Sequence, residues 1–270
     1  MEYFASSFLL LQSEGYLFRS SLLAGLTALR HATSSNPGNF WSGFFQLSVG
    51  IERALKCVVV LDHIGRTGLP PTNRELRNFG HDIQSLVATV VALPVDKGPN
   101  PLGQFEAASV EIEILAFLSE FAVTTRYYNL DALSRGNAKG SPLPRWHSLL
   151  QRLVRQNIPP ERVSDIAQQS VDLAAVIDSS VRVVAHDLDG SPLDVARMLA
   201  APRLQDLGCK YAVWHMIVIL AALYECLRSA TWRAHEREDK SSPASVPYMY
   251  EFLTFALLDK SYVLRKRRWP

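Results

Sequence analysis

The stretch that decides the fold runs from Asn39 to Val90, and its middle reads FFQLSVGIERALKCVVVL (44–61), GRTGLPP (65–71), TNRELRNFGHDIQSLV (72–87). In the first segment Phe44, Leu47, Ile51, Leu55, Val58 and Leu61 recur at steps of three and four. That period puts them on one stripe of an amphipathic helix. Val58-Val59-Val60 favours a strand locally, but the pattern begins well before it and is too long for one. The Gly/Pro cluster at 65–71 breaks the helix. Thr72-Asn73-Arg74-Glu75 then has the form of a capping box, in which the Thr and Glu side chains satisfy orphan backbone donors.

Read as one helix from that cap, the third segment places Arg74, Arg77, Asn78 and His81 on a single face. Each residue turns the helix by about 100°, so residues three, four and seven apart are neighbours. The surface would carry two guanidinium groups, an amide and an imidazole. Arginine neutralises phosphoryl oxygens by bidentate hydrogen bonding, and histidine moves protons near neutral pH. Such a face suits a phosphodiester. In RNA the 2′-hydroxyl is itself a nucleophile, so the set needs no metal and no cofactor. A structural reading stands beside this one: Arg74 and Glu75 as solvated cap residues, Glu52 paired with Arg77 between helices, and His81-Asp82 bonded locally at a kink at Gly80.

Composition frames the choice. The chain has 270 residues, 48% hydrophobic and 20% charged, with a formal net charge of +2. It can bury a substantial core and is not a disordered polyion. Positive charge gathers at the end, in Arg265, Lys266, Arg267 and Arg268, as a solvated tail or as a patch for phosphates. Cys57, Cys209 and Cys226 lie in apolar helical patterns without a CxxC pair, the usage of buried free thiols in a reducing compartment. The first residues lack a basic leader and a cleavage site, so no signal peptide is expected. Tyr211–Ala230 is long enough to cross a membrane, but His215, Glu225 and Arg228 are costly in lipid. A buried central helix in a cytoplasmic protein without a membrane partner is the reading adopted. GxGxxG, Walker, GxSxG and HExxH patterns are missing.

Beyond the opening stretch, LPVDKGPNPLGQ (93–104) is a loop, and a third long helix is expected from Phe105 to about Tyr128, with Ile112, Leu115, Leu118 and Ala122 inward. SRGNAKGSPLP (134–144) is the best linker. After it come helices near 145–157, 161–186 and 205–235, then a short one near 248–258 and the basic end. Turn-delimited alternation is nearly absent, so the chain is all-α. Arg126-Tyr127-Tyr128-Asn129 is either a helix end with aromatic anchors or a base-stacking element. His63 and His186-Asp187 suit helix caps or turns, and His215 suits a satisfied core position.

The order of Glu52, Arg53 and Lys56 on one helix, a turn, and then Arg-x-x-Arg-Asn-x-x-His-Asp resembles the HEPN superfamily. The resemblance covers about residues 15–130 and implies an antiparallel helical bundle over 1–133, with residues 145–270 as a C-terminal helical extension packed on it. Ribonuclease members of that superfamily pair an arginine with a histidine a few residues on, usually with a polar residue directly after the arginine. They dimerise to build a composite metal-independent RNA-cleaving site. Carried over, Arg74, Arg77 and His81 would be catalytic, supported by Asn78, Asp82, Glu52 and Lys56. Six residues separate Arg74 from His81 and three separate Arg77 from it, so either arginine can fill the family's position. Arg126, Tyr127, Arg265, Lys266, Arg267 and Arg268 would touch RNA. The partners implied are RNA, a second copy of the chain, and an antitoxin or regulatory protein, in a toxin or defence setting. The alternative is a non-catalytic helical module that binds a protein or nucleic acid, or a sensor that takes a small molecule between its later helices.

Overall fold

A computed structural model describes residues 3–134, 140–177, 184–239 and 241–269. The chain is predominantly helical, as the periodicity indicates. Its helices are α1 (Ser6–Arg30), α2 (Gly38–Thr67), α3 (Asn73–Asn78), α4 (Ile83–Val91), α5 (Val110–Glu120), α6 (Tyr128–Leu133), α7 (Leu143–Asn157), α8 (Pro160–Ile177), α9 (Val195–Glu236) and α10 (Lys260–Arg265). Short 3₁₀ turns at Pro101–Gln104 and Met249–Leu257, a π-helical turn at Phe121–Thr125 and one small hairpin, β1 (Ala185–His186) with β2 (Pro192–Leu193), complete the described elements.

The stripe that opened the reading is the inner face of α2: Phe44, Leu47, Ile51, Leu55, Val58 and Leu61 are all buried. α1 runs antiparallel beside it in the most extensive helix pair of the fold. The backbones approach closely because small residues line the seam. A Cβ at Gly25 would lie 2.6 Å from the Leu47 side chain, and one at Gly50 would lie 2.7 Å from that of Leu22. Leucines from each helix thus fill notches left by glycines on the other, which is dense packing gained at the cost of glycine's poor helix propensity.

α9 crosses this pair and completes the core. It is 42 residues long, begins at an Asp194 cap bonded to Arg197 N, and passes through Pro202 without stopping. Sequence reading starts this helix near 205, because proline usually ends a helix from its N-terminal side. The cap at Asp194 is the signal that reading misses. Along α9, Met216, Leu220, Leu223 and Leu227 are buried, and 56% of its most apolar window is enclosed by the protein. It is the helix among the described residues long and apolar enough to cross a membrane.

One apolar core joins residues from α1, α2, α4, α5, α7 and α9. Its aromatic centre is Phe44, with ring centroids 4.7 Å from Phe117, 5.5 Å from Phe121 and 4.9 Å from Trp146 in edge-to-face contacts. Those partners lie on α5, on the turn after it, and on α7. Charge also ties the elements: Asp62 on α2, 1% exposed, accepts from Arg66 Nε at 2.7 Å and from Arg233 of α9 at 3.0 Å. A smaller cluster, Val154, Ile158, Ile166 and Leu207, holds α7, α8 and α9 together. The three cysteines are free and buried. Burial pushes the Cys57 and Cys209 thiols up to about 12 and the Cys226 thiol up to about 11.

Several boundaries differ from the sequence reading. The third long helix begins at Val110, capped by Ser109, and not at Phe105. It passes through a π-helical turn, Phe121–Thr125, before α6. Its inner stripe is Ile114, Leu115, Phe117 and Leu118, while Ile112 is half-buried. Residues 135–139 of the expected linker and residues 178–183 of the expected 161–186 helix lie outside the described residues. Ala185–His186, at the end of that expected helix, is extended and paired in the hairpin.

Candidate functional site

The largest departure from the sequence reading is at the Arg/His segment. The capping box is present as read, with Glu75 N donating to Thr72 Oγ1 and Thr72 N to Glu75 Oε2. Donation to the Glu75 carboxylate from the Thr72 hydroxyl, at 2.7 Å, and then from Thr72 N holds that carboxyl below its usual range. But α3 ends at Asn78. Gly80 takes φ +52, His81 sits in the turn, and Asp82 caps a new helix by accepting from Ser85 N at 3.1 Å. Arg74, Arg77, Asn78 and His81 therefore do not share one helical face. The physical reason is local: a left-handed glycine terminates one helix, and the next residue but one is a good N-cap for another. Arg74, Arg77 and Asn78 are exposed on α3.

His81 turns instead toward α2. Its Nδ1 lies 3.0 Å from Glu52 Oε2. A carboxylate only accepts, so Nδ1 carries the hydrogen and Nε2 is the free basic nitrogen. Glu52 is buried at 8%, and its other oxygen accepts from Lys56 Nζ at 2.8 Å. Lys56 Nζ also donates to Gly80 O at 2.8 Å, which anchors the turn that carries His81. The predicted alternative pairing of Glu52 with Arg77 is replaced by these two contacts. The imidazole remains open to solvent, its side chain 60% exposed.

These groups border a cleft of about 470 Å³ between α1, α2 and the α3–α4 turn. Arg53 enters it paired with Glu14 of α1 at 2.6 Å. Leu76, which stands between Arg74 and Arg77, forms part of the wall. Arg126 enters from the far side, delivered by the π-helical turn, with its guanidinium 5.2 Å from the Phe45 ring centre. Among the described residues no carboxylate pairs with Arg126, and its buried Nε lacks a hydrogen-bond acceptor. The resemblance implies that Arg126 is an RNA contact. The fold brings it to the same cleft as Glu52, Lys56 and His81, from 45 residues further along the chain. Tyr127 beside it is exposed. Asp82 stays out of the cleft lining; it caps α4 and accepts from Ser119 Oγ at 3.0 Å.

The basic end is not a free tail. Trp269 is buried, and its N donates to Thr27 Oγ1 at 2.9 Å. Arg267 pairs with Asp206 at 3.0 Å, and Lys266 O accepts from the buried Arg30. Lys266 Nζ lies over the Tyr262 and Trp269 rings, while Arg265 and Arg268 are exposed. None of these residues lines the His81 cleft. Pro270 lies outside the described residues.

Sequence reasoning also passed over His147. It is buried at 8%, lies 3.7 Å from Asp187, and contacts Gln151 Nε2 at 2.7 Å. Asp187 accepts from Gln205 Nε2 at 2.8 Å, so a polar cluster fastens the hairpin to α7 and α9. Its only sequence signal is a histidine on the apolar face of α7. His215 pairs with Glu111 at 2.6 Å, and His63 Nδ1 lies 2.7 Å from Leu69 O at the end of α2.

Among the described residues no group of His, Cys, Asp and Glu side chains is arranged to hold a metal ion. Comparison with protein-family models, with curated proteins and with solved structures finds no match to this chain.

Proposed function

We propose that this protein is an HEPN-like RNA-binding protein that cleaves RNA without a metal, in a toxin or defence role. The observation that carries the reading is the Glu52–His81 hydrogen bond at 3.0 Å, in a cleft that also holds Arg126, a guanidinium without a carboxylate partner among the described residues. A buried carboxylate that fixes the tautomer of an exposed imidazole leaves Nε2 aimed at solvent as a general base. His81 Nε2 would remove the proton from an RNA 2′-hydroxyl. That oxygen then bonds to the adjacent phosphorus, the bond to the 5′-oxygen breaks, and the leaving oxygen takes a proton from water or from the imidazolium. The products are a 2′,3′-cyclic phosphate and a 5′-hydroxyl. Arg126 supplies charge to the phosphoryl oxygens, while Arg74 and Arg77 on the exposed surface of α3 contact neighbouring phosphates.

The test is cleavage of labelled single-stranded RNA by the purified chain in the presence of a chelator. His81→Ala should lower the single-turnover rate by about 10²–10⁴-fold. Arg126→Gln should weaken both binding and rate. Glu52→Gln should lower the rate with little loss of RNA affinity, because it acts through the imidazole. An unchanged rate in His81→Ala refutes the catalytic reading.

A second reading rests on a different surface. Val123, Tyr127 and Leu130, on successive turns, are 57%, 62% and 65% exposed. An apolar stripe at that spacing suits a helix-mediated protein contact. We propose it for the homodimer or for an antitoxin or regulatory partner. Leu130→Glu should then reduce the mass measured by light scattering.

A further inference from the structure

A second cleft, of about 530 Å³, lies on the other side of the molecule's sequence, where α8, the start of α9 and the C-terminal segment meet. Arg162 of α8, Arg203 of α9 and Arg267 converge on it from three separate elements. The acidic residues that line it are Asp165 and Asp206. Asp206 is already shared, accepting from Arg267 at 3.0 Å and from the buried Arg30 at 3.3 Å. Among the described residues Arg162 has no ion pair, and Arg203 donates only to a neutral amide oxygen, Gln169 Oε1, at 2.8 Å. Lys210, one turn beyond Asp206, does not line the cleft but feels the charge of Arg162 and Arg30.

Three arginines against two carboxylates, one of them already shared with the buried Arg30, leave net positive charge in the lining of a concave site. The crowding registers on Lys210, whose pKa is lowered by burial first and then by Arg162 and Arg30. Folding does not bring cations together without compensation unless something else supplies the counter-charge, because like charges in partly desolvated surroundings repel. Arginine forks from several directions match the oxygen geometry of a phosphoryl group better than that of a single carboxylate. The volume falls in the range of small-ligand sites.

We infer that the cleft bordered by Arg162, Arg203 and Arg267 is a binding site for an anionic phosphoryl group. That group belongs either to a free phosphorylated small molecule or to an RNA backbone. The site shares no lining residue with the His81 cleft, so it stands whether or not that cleft cleaves RNA.

Titration calorimetry of the full chain with inorganic tripolyphosphate at low ionic strength tests the site. One-to-one binding is expected, weakened on the order of tenfold or more in Arg162→Gln/Arg203→Gln. Both side chains are exposed, so the fold should persist, and circular dichroism checks it. Arg155→Gln, an exposed arginine outside this cleft, is expected to bind as the parent does. Absence of saturable binding, equal affinity in the double variant, or an equal loss in Arg155→Gln would overturn the inference. Single-stranded RNA measured with the same proteins separates the two sources. A parallel loss of RNA affinity assigns the cleft to the backbone, and an unchanged RNA affinity assigns it to a free phosphorylated ligand.

Discussion

Replacing Phe44 probes whether the two ends of the chain share one cooperative core. Phe44 is fully buried on α2 and makes edge-to-face contacts with Phe117, Phe121 and Trp146, the last of them on α7. Emptying such a site costs about 3–5 kcal/mol for Phe→Ala. Each aromatic pair carries about 0.5–1.5 kcal/mol beyond its buried area. Phe44→Leu keeps most of the volume and gives up the three pairs, so a loss of about 2–3 kcal/mol is expected for it. Phe44→Ala should fall in the upper part of the 3–5 kcal/mol range, because the surrounding rings are large and cannot collapse into the space. Urea unfolding followed by far-UV circular dichroism and by tryptophan fluorescence measures both. The two probes should give coincident transitions in each variant. A loss below about 2 kcal/mol for Phe44→Ala, or transitions that separate, would show that α7 is not fastened to α2 through this cluster.

Asp62→Ala should cost about 2–3 kcal/mol, because it leaves the partly buried Arg233 with only the more distant Asp96 carboxylate at 3.9 Å; adding Arg233→Met should recover part of that loss in a double-mutant cycle. Gly80→Ala should cost about 1–2 kcal/mol through its φ of +52 alone, since nothing lies within 4 Å of the added carbon; Gly80→Asn should cost less, and RNA cleavage should fall more in the alanine variant. Cys57 and Cys209 should not react with a thiol reagent in the native chain near neutral pH and should react fully in denaturant. Their folded pKa values of about 12 lie above the unfolded 9.0, so the contribution of the protonated thiols is complete below 9.0 and is lost as pH rises from there toward 12. Urea midpoints should therefore fall in alkali more steeply for the parent than for Cys57→Ala/Cys209→Ala, by about 1.4 kcal/mol per pH unit for each thiol.

What could be read from sequence follows the range of the interactions concerned. The α2 stripe and the Thr72 capping box are set by residues within a turn or two of each other, and both are present as read. The break at Gly80 was also local, and both of its signals, the glycine and the Asp82 cap, stood in plain view. Helical periodicity on either side outweighs them and puts His81 on a face with Arg74 and Arg77 that the fold does not form. Its real neighbour, Glu52, lies 29 residues away. Periodicity carries no information on which helix a turn residue will meet. The same limit hid Arg126 in the His81 cleft and Arg267 on Asp206. Basic residues near a chain end read as solvated unless a distant carboxylate is known, and here the Trp269 anchor buries the segment that carries them.

The long α9 helix has a consequence for synthesis. Leu220, Leu223 and Leu227 cover apolar surface that α1, α2 and α5 have already formed, yet they leave the ribosome after Glu120, the last residue of α5. At about 5–20 residues per second the delay is on the order of ten seconds. The α1–α2 hairpin, whose glycine–leucine seam is local, can form during that interval. Its remaining apolar flank waits exposed for a helix that is not yet made. A nascent chain stalled between α5 and α9 should therefore bind hydrophobic-surface chaperones more strongly than one stalled beyond Glu236.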